Sequence, residues 1–294
     1  MEVKLLGTSA AEGWPALFCR CDACAKARRL GGKNIRTRAS ALIDNSLKID
    51  FSPDTLQQIV KFDIDLQCLS GVLITHAHDD HFAPAELQYR GEHFVPTPIN
   101  QPLPIYGPPE VKERLTQLYD LSKLPLTLIT LEPWKTQRAG QYLITPILAQ
   151  HDRDIACYNY IIEGPNGERL LYASDTGWYE KPTWRFLETT RLDGIVVEAT
   201  KGMQEDGYMA HLCIPEVVRL RTDLIASGSL RPDAPVVATH LSHLCGLLHE
   251  ELEAIMTPQG IQTGFDGMSF MLSNCGGRAA DTVRKSEKRF DGAI

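Results

Sequence analysis

Apolar positions along the chain fall into short runs whose period switches between two and about 3.6, as expected for strands interleaved with helices. Runs of apolar and β-branched residues predict strands at Val3–Leu6, Ala41–Ile43, Leu47–Phe51, Gly71–Thr75, Leu126–Leu131, Tyr142–Leu148, Tyr158–Ile162, Arg169–Ala173, Gly194–Glu198, Val236–Thr239, Gly260–Phe265 and Ser269–Leu272. Helical spacing predicts Asp22–Leu30, Thr55–Lys61, Pro109–Asp120, Pro182–Glu188, Pro215–Ser227 and His249–Met256, several of them opened by a proline or a capping residue. Turn residues at Asp44-Asn45-Ser46 and at Gly164-Pro165-Asn166-Gly167 predict two hairpins. Hairpins early in the chain and strand–helix alternation later predict an α/β protein, with mixed sheets covered by helices. One domain is expected over residues 1–275. The tail 276–294 lacks an apolar face and is expected to be a peripheral helix or a frayed end.

Composition narrows the class without changing the fold. The 294 residues are 43% hydrophobic and 23% charged, as in ordinary soluble globular proteins. No apolar run approaches the roughly 20 residues that span a bilayer, so no membrane partner is expected. Met1–Gly7 lacks the basic-then-apolar layout of a secretory signal, which makes a cytoplasmic location the default expectation. Thirty Lys and Arg against 37 Asp and Glu give a net charge of −7. That balance works against non-specific nucleic-acid binding, but it permits a small anion held by a local cationic centre.

The sequence Val72-Leu73-Ile74-Thr75-His76-Ala77-His78-Asp79-Asp80-His81 runs an apolar strand directly into four potential metal ligands, His76, His78, Asp80 and His81. Their spacing lets a tight turn direct them to one point. Further donors of suitable type stand at three other predicted strand ends: His151, Asp175 and His240. Each alone could be a surface or capping residue. Joint recruitment to one metal centre explains all of them together. Asp152 and Asp154 flank His151 and could orient imidazoles or be solvated. Asp79 has no assigned role, and His93 and His249 read as ordinary polar positions. Among the eight cysteines, Cys68, Cys157, Cys213, Cys245 and Cys275 are scattered and are expected to be small buried hydrophobes. Cys19, Cys21 and Cys24 instead form a tight cluster, at a spacing suited to tetrahedral zinc with a fourth N or S donor still to be found.

In its order of donors the chain resembles the metallo-β-lactamase superfamily, from the first strand to about residue 272. The resemblance implies an αβ/βα sandwich of two mixed sheets with a dinuclear centre at one edge. It implies that His76, His78 and His151 bind one metal, that Asp80, His81 and His240 bind the second, and that Asp175 bridges them. Pro84, where many relatives carry Gly, is expected to alter the loop path without loss of ligation. Within the superfamily, Cys19-x-Cys21-x-x-Cys24 is similar to the PhnP-like cyclic phosphodiesterases. This implies His243 as the fourth ligand of a structural zinc, ahead of Cys245, and a homodimer as the assembly. PqqB-like relatives share the cysteines but have a degraded histidine motif, whereas this one is intact.

The function implied is hydrolysis of a small phosphodiester, such as a cyclic nucleotide or ribosyl cyclic phosphate. Two divalent metals, Zn or Mn, would hold and activate a hydroxide between them. Asp80 is expected to serve this chemistry as a ligand, and His211 to act as general acid, with a helix-capping or supporting role as its alternative. A lactone or other carbon-ester hydrolase on the same scaffold is the rival reading. A tRNA nuclease is disfavoured by the charge and by the absence of a Gly/Pro- and Lys-rich arm, and a non-enzymatic accessory role by the complete ligand set.

Overall fold

A computed structural model describes residues 1–97, 99 and 101–274. In chain order its strands are β1 (Glu2–Gly7), β2 (Ser40–Ile43), β3 (Leu47–Ile49), β4 (Gly71–Leu73), β5 (Leu103–Gly107), β6 (Leu126–Thr130), β7 (Gln137–Ala139), β8 (Tyr142–Leu148), β9 (Tyr158–Glu163), β10 (Arg169–Ala173), β11 (Gly194–Glu198), β12 (Val236–Thr239), β13 (Gln262–Thr263) and β14 (Ser269–Met271). The helices are α1 (Asp22–Leu30), α2 (Thr55–Phe62), α3 (Pro84–Leu87), α4 (Pro109–Leu118), α5 (Lys181–Glu188), α6 (Ile214–Ala226) and α7 (His249–Met256). Two seven-stranded sheets result, ordered β14-β1-β2-β3-β4-β5-β6 and β13-β12-β11-β10-β9-β8-β7. Each is mixed. In the first, β14 through β3 are antiparallel and β3 through β6 parallel. In the second, β7 through β10 are antiparallel and β10 through β13 parallel.

Alternation along each strand assigns side chains to layers. Val3, Leu5, Ile43, Leu47 and Ile49 of the first sheet meet Tyr142, Tyr160, Tyr172, Val196 and Val237 of the second in the central core. The outer face of the first sheet, with Leu42, Val72 and Ile105, is covered by Leu87, Val111 and Leu115 of α3 and α4. The outer face of the second, with Leu171, Ile195, Val197 and Ala238, lies under α1, α5, α6 and α7. This is the expected αβ/βα sandwich. Because β10 and β11 are buried on both faces, they read in sequence as continuous apolar runs.

Several details differ from the sequence expectations. β5 was not expected because Pro104 interrupts it; pairing with β4 begins only at Ile105, one residue past the missing N–H. β7 is a polar edge strand, turned into β8 at Gly140 with φ 58°. α3 is a single turn with Pro84 at its start, and β13 shrinks to two residues where a longer strand was expected. Cys157 and Cys213 are buried as expected, but Cys68 is exposed and Cys245 half-buried. Cys275 and the tail 276–294 lie outside the described residues.

Residues 8–10 strap the two sheets together. Ser9 bridges to both Arg38 and Leu241, and Leu241 N donates to Thr8 O at 2.9 Å. Buried Arg36 fastens the strap by donating to Thr8 Oγ1 and Gly264 O, and its Nη2 lies 2.9 Å from His249 Nδ1. His249 is therefore a buried acceptor and not the ordinary polar position expected. Burial, then Arg36 and Lys33, push its pKa down to about 4. No helix among the described residues is long and apolar enough to cross a membrane.

Candidate metal centre

The first ligand segment leaves β4 and turns tightly, with both His81 N and Phe82 N donating to His78 O. Side chains from this turn, from the ends of β8 and β10, and from the end of β12 converge at one edge of the sandwich. His76, His78 and His151 form one group of donors, and Asp80, His81, Asp175 and His240 a second. His76 Nε2 and His151 Nε2 lie 3.0 and 3.2 Å from His78 Nδ1. Asp175 stands between the groups. Its Oδ2 is 3.5 Å from His76 Nε2, 3.5 Å from His151 Nε2 and 3.1 Å from His81 Nε2, and its Oδ1 is 2.8 Å from His240 Nε2. All seven residues expected at this centre are thus brought together.

The outward-facing nitrogens explain how the rings are aimed. His78 Nε2 is held by Asp152 Oδ2 at 2.9 Å, and His81 Nδ1 by Asp50 Oδ2 at 2.7 Å. His76 Nδ1 faces Thr75 Oγ1, His151 Nδ1 faces Ala210 O, and His240 Nδ1 faces Thr200 Oγ1, at 2.9–3.2 Å. An imidazole that donates outward through one nitrogen presents a lone pair inward at the other, the state a metal requires. The Nε2 atoms of His81 and His240 are buried without a hydrogen-bond partner among the described residues, although Asp175 oxygens are near. Lone pairs aimed at carboxylate oxygens have a chemical rationale where a cation lies between them. The donor set therefore fits divalent metal.

Electrostatics point the same way. Burial opposes charge on His81, yet Asp175, Asp80 and Asp50 together hold its pKa well above the ordinary value. Burial opposes charge on His240 as well, but Asp175 and Asp80 raise its pKa to about 10. Burial drives His76 down, aided by its neighbouring imidazoles. The buried carboxylate of Asp175 and the partly buried one of Asp80 demand positive charge, and metal ions satisfy that demand as well as protons do.

Backbone conformation is bent to the same end. Asp50, Asp175 and His240 take φ of 58°, 46° and 52°. Each lies just beyond a strand, where a left-handed residue costs about 1–2 kcal/mol and swings its side chain away from the sheet. Asp50 was not singled out from the sequence. The signal was present: like Asp175, it is an acid at the end of an apolar strand. Arg114 of α4 was also missed. It donates to Ala77 O and to Asp79 Oδ1, bracing the ligand turn from outside and accounting for Asp79. Of the two acids beside His151, Asp152 orients an imidazole, while Asp154 bonds to it through its backbone N–H.

His211 borders the centre. Its ring centroid lies 4.9 Å from that of His151 and 5.5 Å from that of His240. Its Nδ1 lies 2.7 Å from Glu198 Oε1, and although burial opposes charge, Glu198 and Asp175 raise its pKa. A pocket of about 320 Å³ opens here, lined by His78, Asp80, His151, Asp175, His211 and His240 together with residues of its rim.

On the neighbouring surface, Cys19, Cys21, Cys24 and His243 form a second group with donor atoms within 4.8 Å of one another. His243 Nδ1 is 3.7 Å from Cys19 Sγ and 3.5 Å from Cys21 Sγ. The Cys24 backbone N–H, partly opposed by burial, lowers the Cys21 thiol to about 6, whereas burial raises Cys24 to about 11. The strap places the cysteine loop against the segment that follows His240. Cys245, the alternative donor, turns instead toward Leu247 O and is absent from the group. His93 is exposed and joins no donor group among the described residues.

Residues 45–231 match the profile of the β-lactamase superfamily domain, and the chain belongs to the metallo-β-lactamase superfamily, whose fold carries metal-dependent hydrolases. No curated protein matches the chain in sequence. Among solved structures it is similar to a diphosphatase of the PhnP family, with 19% identity, a TM-score of 0.72 and coverage of 93% of this chain and 98% of that one. Zinc-bound PqqB from Methylobacterium extorquens gives 18% identity and a TM-score of 0.72, covering 92% and 100%. The short form of human tRNase Z gives 17% identity and a TM-score of 0.64, covering 93% and 100%. At these identities the likenesses concern the fold.

Proposed function

We propose that the chain is a dinuclear metal-dependent phosphodiesterase acting on a small phosphodiester of the cyclic nucleotide or ribosyl cyclic phosphate type. The observation that carries the reading is the convergence of two donor groups on the shared carboxylate of Asp175, beside a pocket of small-molecule size. His76, His78 and His151 would hold one ion, Asp80, His81 and His240 the other, and Asp175 both. Two divalent ions, Zn or Mn, supply Lewis acidity toward phosphate oxygens and lower the pKa of a water toward neutrality. Asp50, Thr75, Asp152 and Thr200 keep the imidazoles aimed, so little reorganisation is needed as charge develops on the substrate.

His211 supplies the proton for the leaving oxygen. Glu198 accepts its Nδ1–H, which fixes the tautomer and leaves Nε2 toward the pocket that the residue lines. His211→Ala should lower turnover of a poorly activated diester by about 100-fold, and that of a p-nitrophenyl ester by less than about threefold. Equal losses on both would remove the assignment.

The cysteine cluster with His243 is proposed as a closed structural zinc site, within one domain spanning residues 1–275, and a homodimer as the assembly. Assay against bis-p-nitrophenyl phosphate, cyclic nucleotides, a lactone and a β-lactam tests the function. Turnover confined to the lactone or β-lactam would overturn it.

A further inference from the structure

The rim of the pocket carries information about the substrate that the metal centre does not. Beyond the donors and His211, the pocket is lined by Glu12, Lys201, Gln204, Asp206, Tyr208 and Leu244, among other residues. Lys201 is the one cationic side chain other than histidine among the described lining residues. It is already engaged: Nζ donates to Tyr208 O at 2.9 Å and lies 3.6 Å from both Asp206 Oδ1 and Glu216 Oε2, with its side chain 9% exposed. Glu12 accepts from Ser242 Oγ and faces His243 Nε2 at 3.4 Å. No arginine lines this pocket among the described residues. Beside these charges, Tyr208 and Leu244 are exposed; Tyr208 N donates to Asp206 Oδ1, and Gln204 Nε2 donates to Leu244 O.

A second phosphate is most strongly recognised by guanidinium or ammonium groups free of other partners. This rim presents Glu12 and Asp206, a lysine that Asp206 shares with Glu216 so that acids outnumber it, an aromatic side chain and an aliphatic one. We infer that Glu12, Asp206 and Tyr208 restrict the substrate to a diester with one phosphate, whose remainder is uncharged and carries a flat ring that stacks on Tyr208. Nucleoside cyclic monophosphates fit this description; bisphosphates, dinucleotide pyrophosphates and polynucleotides do not. The inference rests on the phosphodiesterase reading, but binding tests it separately from turnover.

With metal-loaded protein, calorimetry should compare adenosine 3′-monophosphate with adenosine 3′,5′-bisphosphate. The bisphosphate should bind at least about tenfold more weakly, because its second phosphate meets the rim carboxylates. Asp206→Asn should narrow that gap to about threefold. Tyr208→Ala should weaken both ligands by about tenfold through loss of ring stacking, and Tyr208→Phe should restore both. In turnover, adenosine 2′,3′-cyclic phosphate should exceed its 5′-phosphorylated form by about tenfold in kcat/KM, through KM. Equal or tighter binding of the bisphosphate, or a gap unmoved by Asp206→Asn, overturns the inference. Failure to hydrolyse either cyclic nucleotide, with the binding preference intact, would instead count against the phosphodiesterase reading.

Discussion

In each group of the His/Asp centre, as in the cluster of Cys19, Cys21, Cys24 and His243, the donor atoms lie within 4.8 Å of one another, but their surroundings differ. The His/Asp donors come from four separated strand ends, are mostly buried, and border a pocket. Three of the four cluster donors come from one short stretch that runs into the first turn of α1, and Cys21 is at the surface. Hard and borderline donors around an accessible space suit exchangeable ligands and chemistry; soft thiolates closed by one imidazole suit a permanent brace. The contrast also separates the forces that hold each arrangement. Thiolates adjacent in sequence need one distant partner, whereas the His/Asp donors need the whole sandwich.

The strongest test of this contrast removes the shared carboxylate. Asp175→Ala should lower kcat/KM by about 1,000-fold or more and deplete the centre of metal, while zinc at the cysteine cluster stays at one per chain by elemental analysis. Parallel loss of both metals would show that the sites are not independent. Cys21→Ser is the converse experiment. It should remove one zinc per chain and lower Tm by about 6–10 °C, leaving kcat of the folded protein within about threefold. A loss of activity as deep as that of Asp175→Ala would move the cluster into the catalytic machinery.

Asp50→Asn should act more gently, because Asp50 touches the imidazole of His81 and is not itself in either donor group. Metal affinity should fall by about 10- to 100-fold in chelator competition, and excess metal should recover activity. The smallest effect concerns a buried histidine that belongs to neither site. The folded-state pKa of His249 is depressed to about 4, so its contribution is fully present above the unfolded value near 6.5 and is lost as pH falls from 6.5 to 4. In the Asp175→Ala background, where catalytic metals do not contribute, His249→Gln should flatten that decline by about 2 kcal/mol in urea unfolding. An unchanged slope would assign the acid sensitivity elsewhere.

Much of the centre was legible because its residues are chemically distinctive and follow apolar runs. His76, His78, Asp80, His81, His151, Asp175 and His240 all stand just past such runs, and a strand end is where a side chain can leave the sheet and meet others. Asp50 was hidden because its role depends on pairing. The parallel register Ile49↔Leu73 sets it beside Thr75, whose N–H and hydroxyl it accepts before reaching His81. Arg114 was hidden for a related reason, since nothing local marks a helix arginine that braces a turn in another segment.

Periodicity, turn chemistry and ligand spacing therefore carried the α/β class, most elements and the candidate donors, since these depend on neighbours within a few residues, whereas the layered sandwich was implied by the superfamily resemblance. Which nitrogen of each ring faces inward, which carboxylate lies between the groups, and how His243 comes to meet cysteines more than 200 positions away depend on contacts between distant segments. Strand register and the residue 8–10 strap set those contacts. The rim of the pocket belongs to the same class: Glu12 lines it together with Lys201 and Tyr208 only because the folded chain brings a loop from its beginning against one from its later half.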